Sequence, residues 1–563
     1  MKKNYAIILS VFIAVAAQAQ LPTVSLSSPT VCAGETVTAT IVAPEFSLAS
    51  SAVADNVQNG VMFDLVGVNG AIIKGFTVDI EQDNTSFEIY YRTGSYVGFE
   101  DSNAGWTLLG SSSGIAMGTG VNTGIELDVE ILPGQTLGFY VTCTGSLTEY
   151  IEYADGTAVG TQLASNYYFA INSGVGKSYP FATTYSPRDF VGSVLFEPII
   201  SDISWTNNPS TSLTADYTVD RTQSIIATGT YEGIEGKATA IVTVNDYEVE
   251  ATATPAILGW DESSTLEAAT TLVTGLGTTF EAGNGQEGAM FDVSAVNGLD
   301  ISGFSVYPSG TTNANVEIFY KTGTFVGSEF TSGDWISIAT ATGLVGEEVH
   351  YVPLTSPLSI APGQTFGIYI TRTDGSGFVS YTNGLGVGTV YNSDPNLIVK
   401  CGSGIAYPFA ASFPDRMLNT IVHYEIENPA GLNYAWAPTG GTAATETVTP
   451  NADVTYTVTV DDGTCEGSDD VAVSMALGIE DALAESLVVY PNPATDNLTV
   501  STNQPLNVQH IALLDLTGKA VYQMTPSGAF TTATIPVNQL ATGMYLLQLN
   551  VDGKLTNRKV AVR

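Results

Sequence analysis

At 563 residues the chain exceeds what one hydrophobic core organises, since domains usually hold about 100–200 residues, and several domains in series are expected. Hydrophobic residues make up 44% of it and charged residues 13%, enough apolar surface to fold throughout, which excludes a largely disordered chain. Asp and Glu (56) outnumber Lys and Arg (17), and the resulting net charge of −39 repels phosphate backbones, excluding nucleic acid as a partner class.

The first twenty residues, MKKNYAIILSVFIAVAAQAQ, carry two lysines, an apolar run from Ala6 to Ala17 and a small-x-small site at Ala17-Gln18-Ala19. This is the pattern of a secretory signal peptide over residues 1–19, cut between Ala19 and Gln20. The apolar run is shorter than the roughly 20 residues of a membrane span, and no later segment is apolar enough to cross a bilayer, so no transmembrane segment is expected. The cleavage point lacks a Cys, which argues against lipoprotein processing.

A long unit then occurs twice. GVMFDLVGVNG (Gly60 to Gly70) returns as GAMFDVSAVNG (Gly288 to Gly298), and FEIYYRTGSYVG (from Phe87) as VEIFYKTGTFVG (from Val316). Trp106 returns as Trp335, LPGQTLGFYVT (from Leu132) as APGQTFGIYIT (from Ala361), and YPFA at Tyr179 as YPFA at Tyr407. The offsets are 228 or 229 throughout, so a module of about 150 residues is duplicated in tandem. The flanks repeat more faintly, with Trp205 and Trp436 each followed by alternating runs such as TAIVTV and TYTVTV. A Trp before alternating strands suggests immunoglobulin-like pieces, which resemble the short Ig-like domains of bacterial surface proteins.

The segments are short, rich in Val, Ile, Thr, Tyr and Phe, and punctuated by Gly, Asn-Gly and Pro-Gly, and helical periodicity is nearly absent after residue 20. The expected fold is all-β: two tandem jelly-roll-like sandwiches associated with Ig-like domains, and a further C-terminal β-sandwich. The expected divisions are Ig-like opening strands at 20–48, β-sandwich module 1 at 49–199 and a Trp half at 200–250. They continue with second opening strands at 251–275, module 2 at 276–427, a second Trp half at 428–475, a linker at 476–486 and the tail at 487–563. Each opening strand is separated from its Trp half by a module, which suggests nesting, with beads on a string as the alternative.

Export permits disulfides. Cys32 and Cys465 each lack the partner their Ig-like position would need, while Cys143 and Cys401 fall opposite Arg372 and Ser173 in the other copy. Four unpaired thiols are expected, with a Cys32 to Cys465 bridge as the alternative.

Strand alternation puts Phe87, Ile89 and Tyr91 on a core face and Glu88, Tyr90 and Arg92 on the other. The second copy gives Val316, Ile318 and Tyr320 against Glu317, Phe319 and Lys321, and Tyr140 and Tyr369 likewise lie opposite their apolar neighbours. The candidate ligand face is therefore Tyr90, Arg92 and Tyr140 with Phe319, Lys321 and Tyr369, because aromatic rings stack on sugar faces and anchor interfaces. Cross-strand pairing and inter-sheet packing is the plainer reading of the same residues.

Other chemistry is poorly supported. GVGKS (Gly174 to Ser178) lacks the earlier Gly of a phosphate loop, Ile171 standing in its place, and the second copy has GSGIA. The three histidines, His350, His423 and His510, are scattered, which does not suggest a triad or a zinc site. A carboxylate pair among 56 acids would suffice for a glycosidase. No catalytic residue is assigned, because duplication with aligned core and little aligned acid is more typical of binding. No cofactor is required. Aligned Asp64 and Asp292, Asp461-Asp462-Gly463 and Asp469-Asp470 leave calcium as an option, with turn capping the plainer reading and no metal ligands assigned.

From about Leu487 the chain reads LVVYPNPATDNLTV, HIALLDLTGKAVYQ, LATGMYLLQLNVDGK and RKVAV. Four ordered motifs stand out: Tyr490-Pro491-Asn492-Pro493, Asp515-Leu516-Thr517-Gly518, Thr542-Gly543-Met544-Tyr545 and Lys559-Val560. The tail resembles the type A C-terminal sorting domain of type IX secretion cargo in Bacteroidota, over roughly eighty residues. The resemblance implies recognition by the type IX machinery at the outer membrane and cleavage on release or on attachment to surface lipopolysaccharide, the linker at 476–486 being a plausible processing region. A secreted or outer-surface, non-enzymatic adhesion or extracellular-glycan-binding protein is expected. A secreted polysaccharide-degrading enzyme and a purely structural surface stalk are the alternatives.

Overall fold

The computed structural model of the chain describes residues 19–20, 23–145, 149–259, 262–280, 284–310, 313–475, 487–551 and 554–563. Ala17 and most of the expected signal peptide lie outside the described residues, as does the expected linker 476–486. Ala19 and Gln20 pair in parallel with Gly236 and Lys237. The described residues are all-β apart from one 3-10 turn at Ser332–Asp334. Two units divide the chain, Met1–Asp246 with Val273–Ile426, and Tyr247–Leu272 with Glu427–Arg563.

In the first unit, module 1 is a sandwich of two sheets. One sheet runs Thr107–Ile115, Thr85–Thr93, Thr136–Cys143, Gly60–Gly67 and Phe169–Lys177 in lateral order. Phe169–Lys177 then pairs with Thr184–Phe190, which leads into the second sheet through Ile151–Asp155, Ala71–Ile80, Gly192–Pro198 and Phe46–Ala49. Period-two alternation turns Val61, Phe63, Leu65, Phe87, Ile89, Phe139 and Val141 inward against Ile73, Phe76, Val78, Val194 and Phe196. Phe63 stacks on Phe190 at 4.4 Å between ring centroids and meets Phe76 edge-on at 5.6 Å.

Module 2 repeats the first sheet with Ile336–Leu344, Ala314–Thr322, Thr365–Arg372, Gly288–Ala295 and Leu397–Ile405. Opposite them, Leu299–Val306 lies between His350–Ile360 and Thr420–Glu427. The copies differ here: His350–Ile360 is one strand, whereas module 1 divides the equivalent stretch into Gly118–Asn122 and Val129–Ile131.

A smaller core interrupts the order of the chain. Glu35–Ile41 pairs with Thr214–Val219, more than 170 residues later. Val37, Ala39 and Ile41 share one apolar cluster with Trp205, Tyr217, Ile225, Ala227 and Val242. In the second unit, Leu258, Leu266 and Ala268 cluster in the same manner with Trp436, Val458, Val460 and Val473. Each Trp satisfies its buried N–H seven residues downstream, Trp205 on the Ser212 carbonyl and Trp436 on the Ala443 carbonyl, both at 2.9 Å.

The expectation of four free thiols is corrected. Cys32 and Cys465 are each disulfide-bonded, whereas Cys143 and Cys401 are free and buried. The Ig-like position of each within its own repeat offers no partner, so local position does not decide the state of these two cysteines.

Within the first unit, polar contacts join the small core to module 2. Lys237 Nζ donates to Glu347 Oε2 at 2.7 Å and to the Tyr307 hydroxyl at 2.8 Å, and the Arg221 guanidinium lies 3.8 Å over the Tyr351 ring. Beneath Tyr351, His423 is almost fully buried and shares a 2.7 Å hydrogen bond with Ser305. Burial, with a smaller contribution from Arg221, pushes its imidazole down to about 3. The folded protein therefore keeps His423 neutral where the unfolded chain protonates it, so the stability it contributes is complete above pH of about 6.5 and is lost as pH falls towards 3. Chemical denaturation at pH 7 and pH 5 should show the wild type losing about 2 kcal/mol more than the His423→Gln variant; equal losses would remove this histidine from the acid response.

Candidate functional site

The outer face of the first sheet of each module carries the residues that alternation turns away from the main core. One row crosses four strands as Tyr90, Tyr140, Met62 and Val175, and its counterpart runs Phe319, Tyr369, Met290 and Ser403. The next row is Arg92, Gly138, Asp64 and Asn172, matched by Lys321, Gly367, Asp292 and Lys400. Sequence alternation thus brings the six candidate ligand residues to equivalent places.

They do not form an open face. Tyr140 and Tyr369 are fully buried. Tyr140 packs with Met62, Tyr96, Val175 and Phe181, and Tyr369 with Met290, Phe325, Trp335 and Ile405. Tyr90 and Phe319 stack on them at 5.9 and 5.7 Å, half-buried. Burial pushes the Tyr369 hydroxyl up to about 12 and Tyr140 higher still, so both stay protonated. Arg92 lies 3.5 Å over the Phe99 ring, and Lys321 Nζ donates to the Thr324 carbonyl at 2.7 Å. Both cations serve the loop that follows their own strand.

That loop is the cover. Its close approach requires the glycine of the second row: a Cβ on Gly138 would stand 2.8 Å from the Tyr96 nitrogen, and one on Gly367 2.9 Å from the Phe325 nitrogen. Asp64 holds it down, accepting from the Tyr96 N–H at 2.9 Å and the Ser95 hydroxyl at 2.5 Å. Asp292 does the same with the Phe325 N–H at 2.9 Å and the Thr324 hydroxyl at 2.6 Å. Burial raises both carboxyls, and these hydrogen bonds oppose the rise. Trp106 and Trp335 close the loop, each donating to the carbonyl seven residues upstream, on Phe99 at 2.9 Å and Ser328 at 3.0 Å.

The repeated YPFA completes the cover. Phe181 and Phe409 both adopt a φ of 55°, a region that bulky side chains rarely occupy, and sit 4.9 and 5.0 Å from the Tyr140 and Tyr369 rings. Trp106, Trp335 and YPFA were visible as repeated sequence. Tyr96 and Phe325 carried no separate signal of burial, because they lie beyond the end of a strand, where alternation no longer predicts a face.

On the loop tips, each copy leaves one phenylalanine in solvent, Phe99 (41% exposed) in module 1 and Phe330 (64%) in module 2. Val97 and Val326 beside them are also exposed. The two phenylalanines are not equivalent, since Phe99 aligns with Ser328 and Phe330 with Asp101.

GVGKS lies mainly in the strand Phe169–Lys177. Gly174 is required because a Cβ there would fall 1.7 Å from the Met62 carbonyl oxygen, as at Gly402 against Met290. Lys177 is fully buried, donating to the Ala182 carbonyl at 2.6 Å, Thr184 at 2.7 Å and Asp101 at 3.1 Å. Of the acids that could serve calcium, Asp469 and Asp470 lie in the strand Glu466–Met475, accepting from the Ala251 N–H at 2.8 Å and the Thr457 hydroxyl at 2.5 Å respectively, while Asp461 and Asp462 cap a turn. Asp462 Oδ1 accepts from the Thr464 and Cys465 N–H groups at 2.8 Å, and Asp461 Oδ1 from Gly463 at 2.9 Å. Among the described residues, three or more His, Cys, Asp or Glu side chains are nowhere grouped to hold a metal. His350 bonds the Val345 carbonyl, and His510 lies in a strand of the tail.

The tail packs a three-stranded sheet, Leu487–Tyr490, Asn497–Leu506 and Phe530–Pro536, with a four-stranded one, Ala520–Met524, Val508–Leu514, Gly543–Val551 and Lys554–Val562. Leu498, Val500, Ile511, Leu513, Ile535, Leu547, Leu549 and Val560 share its core. Asn492, between Pro491 and Pro493, clasps the last strand: its amide donates to the Lys559 carbonyl at 3.1 Å and its carbonyl accepts from the Ala561 N–H at 2.8 Å. Asp515 Oδ1 accepts from the Thr517 N–H, the Thr517 hydroxyl and the Lys519 N–H, with Gly518 at φ 81° closing the turn. Tyr545, beyond Gly543, donates to the Ala541 carbonyl at 2.7 Å. A family model described as "Secretion system C-terminal sorting domain" matches residues 488–563. The tail is a type IX secretion sorting domain. The sorting domain makes the chain cargo of that machinery, delivered outside the cell or to its outer surface. Among the described residues no helix is long and apolar enough to cross a membrane.

No curated protein matches the chain. Solved structures align over most of its length at very low similarity. A biofilm-associated protein BSP domain is 7% identical, covers 96% of each chain and has a TM-score of 0.12. Escherichia coli alpha-2-macroglobulin in its native conformation is 11% identical over 95% of this chain and 31% of its own, with a TM-score of 0.15. A Salmonella alpha-2-macroglobulin mutant is 10% identical over 94% and 41%, at 0.13. At these scores no functional argument follows from them.

Asp64→Ala leaves the buried Tyr96 N–H unpaired, which costs about 1–3 kcal/mol. Module 1 should unfold correspondingly earlier in denaturant, with Trp106 fluorescence shifted to the red before unfolding. Asp292→Ala should do the same to module 2 through Trp335, and an unshifted spectrum in both variants would contradict the clamp.

Proposed function

We propose that this exported chain is a non-catalytic adhesion protein whose two modules bind extracellular glycan through the tips of their clamped loops. The observation that carries the reading is the single solvent-exposed phenylalanine on each loop, Phe99 and Phe330, in loops whose own Tyr96 and Phe325 are anchored in a buried aromatic cluster. An exposed ring on a fixed backbone offers a sugar face a stacking surface at little cost in conformational entropy. In module 1 the Arg92 guanidinium covers one side of Phe99 at 3.5 Å, adding a donor beside the ring. Two weak sites on one chain strengthen attachment to a repeating polymer by avidity, without any new contact. The six residues first read as the ligand face support these tips from below.

The test is a glycan array probed with the purified chain, followed by titration of any hit. Phe99→Ala and Phe330→Ala should each weaken binding about tenfold, and the double variant should bind at background, consistent with one stacking contact per module. Full binding by the double variant would overturn the assignment. Sugars released from the polymer would replace it with a polysaccharide-degrading enzyme, and silence across the array with a structural stalk.

A further inference from the structure

The four sorting motifs are separated by up to about seventy residues of sequence, yet strand register brings them to one end of the tail. Leu514 pairs with Leu546, which pairs with Lys559. The Asp515 turn, the start of the strand Gly543–Val551 and the finish of Lys554–Val562 therefore lie together. Met544 pairs with Ala561, whose N–H is the one that Asn492 accepts. Ala494 bridges Val562, which ties the YPNP segment to the same end.

The motif residues divide into two classes there. Asn492, Asp515, Gly518 and Tyr545 are committed to hydrogen bonds or turns within the fold. Leu516, Tyr490 and Met544 have no such work and stand 86%, 51% and 46% exposed. An apolar side chain held in water on a turn fixed by three hydrogen bonds has already lost the freedom that binding would otherwise remove. Lys519, Lys559 and Arg563 are exposed at the same end. From Leu487 onward the chain holds five Lys and Arg against three Asp, net +2; the remaining 12 basic (17 less 5) and 53 acidic residues (56 less 3) give −41. The tail opposes the charge of everything it carries.

We infer that this end of the sorting domain is its docking surface, with Leu516 entering an apolar pocket on a type IX secretion component, Tyr490 and Met544 flanking it, and Lys519, Lys559 and Arg563 meeting an acidic rim. Charge complementarity gives the reason for an acidic protein partner: such a surface attracts the tail and repels the −41 of the cargo, which orients the chain tail-first. The inference rests on the tail being a sorting domain.

The test is made with the full chain expressed in a Bacteroidota host that has type IX secretion, comparing periplasmic, surface and medium fractions by immunoblot. Leu516→Asp, and separately Lys519→Glu with Lys559→Glu, should lower the exported amount by about tenfold or more, as loss of a central contact does. Leu555→Asp is the control, since Leu555 is 48% exposed at the opposite end of the same sandwich. It should export normally, and protease resistance of the retained chain should match the wild type. Deleting 487–563 separates the two levels. If the deletion exports normally, the sorting assignment itself fails. If the deletion is retained while the Leu516 and lysine variants export as wild type, only the docking surface fails. Equal loss in the Leu555 control would also overturn it, as would normal export with loss of surface retention, which would make the surface an anchor site for lipopolysaccharide.

Discussion

A buried carboxylate under a loop is the constraint on which the rest of each module depends. Asp64 and Asp292 sit in central strands covered on both sides, where an ionised group without partners would be strongly unfavourable. Each is satisfied by a backbone N–H and a hydroxyl from the same loop, so the loop cannot leave without stranding the charge. The glycine opposite admits the loop, the tryptophan closes it, and the aromatic floor fills the space between. A surface segment is thereby tied to the sheet beneath it, the fixed order that the proposed binding loops require.

Where the copies differ, they differ in groups. Lys177, Asp101 and Thr184, which bond one another, are replaced by Ile405, Phe330 and Ser412. Cys143 and Gly145 become Arg372 and Asp374, whose guanidinium and carboxylate bond through two pairs of atoms at 3.1 and 2.6 Å. Ser173 donates to Asp189 in the first module, and Cys401 and Met417 stand at those positions in the second. A buried cation or donor is kept only with its acceptor, because half of such a pair costs more than either the whole pair or an apolar substitute. Replacement of Asp101 by Phe330 also moves the exposed aromatic along the loop, so the scaffold is preserved while the presented surface changes.

Much of this organisation was legible in the sequence. The constant offset points to a duplicated β-sandwich module, and alternation through FEIYY and VEIFY gives the faces of those strands. The sorting motifs were readable because turn chemistry and Pro-Asn-Pro are local features. Alternation, however, assigns a residue to a face without saying what covers it. Alternation alone therefore offers Tyr140 and Tyr369 as ligand candidates, although Tyr96, Phe325, Phe181 and Phe409 bury them from loops distant in sequence. The half-cystines Cys32 and Cys465 were missed for the related reason that position within one repeat does not determine pairing.

The tail joins this architecture to its destination. Its own polar residues hold the fold together, and its charge is opposite to that of the modules it delivers. On the proposed reading the modules bind through loops whose order does not depend on a ligand. Native-state hydrogen exchange tests that claim most directly, read at the Tyr96 and Phe325 amides. Bonded to buried carboxylates, these amides should exchange as slowly as those of the neighbouring core strands, through unfolding of the whole module. Exchange at the rate of the exposed loop tips would show that the clamp opens on its own, and would contradict the account.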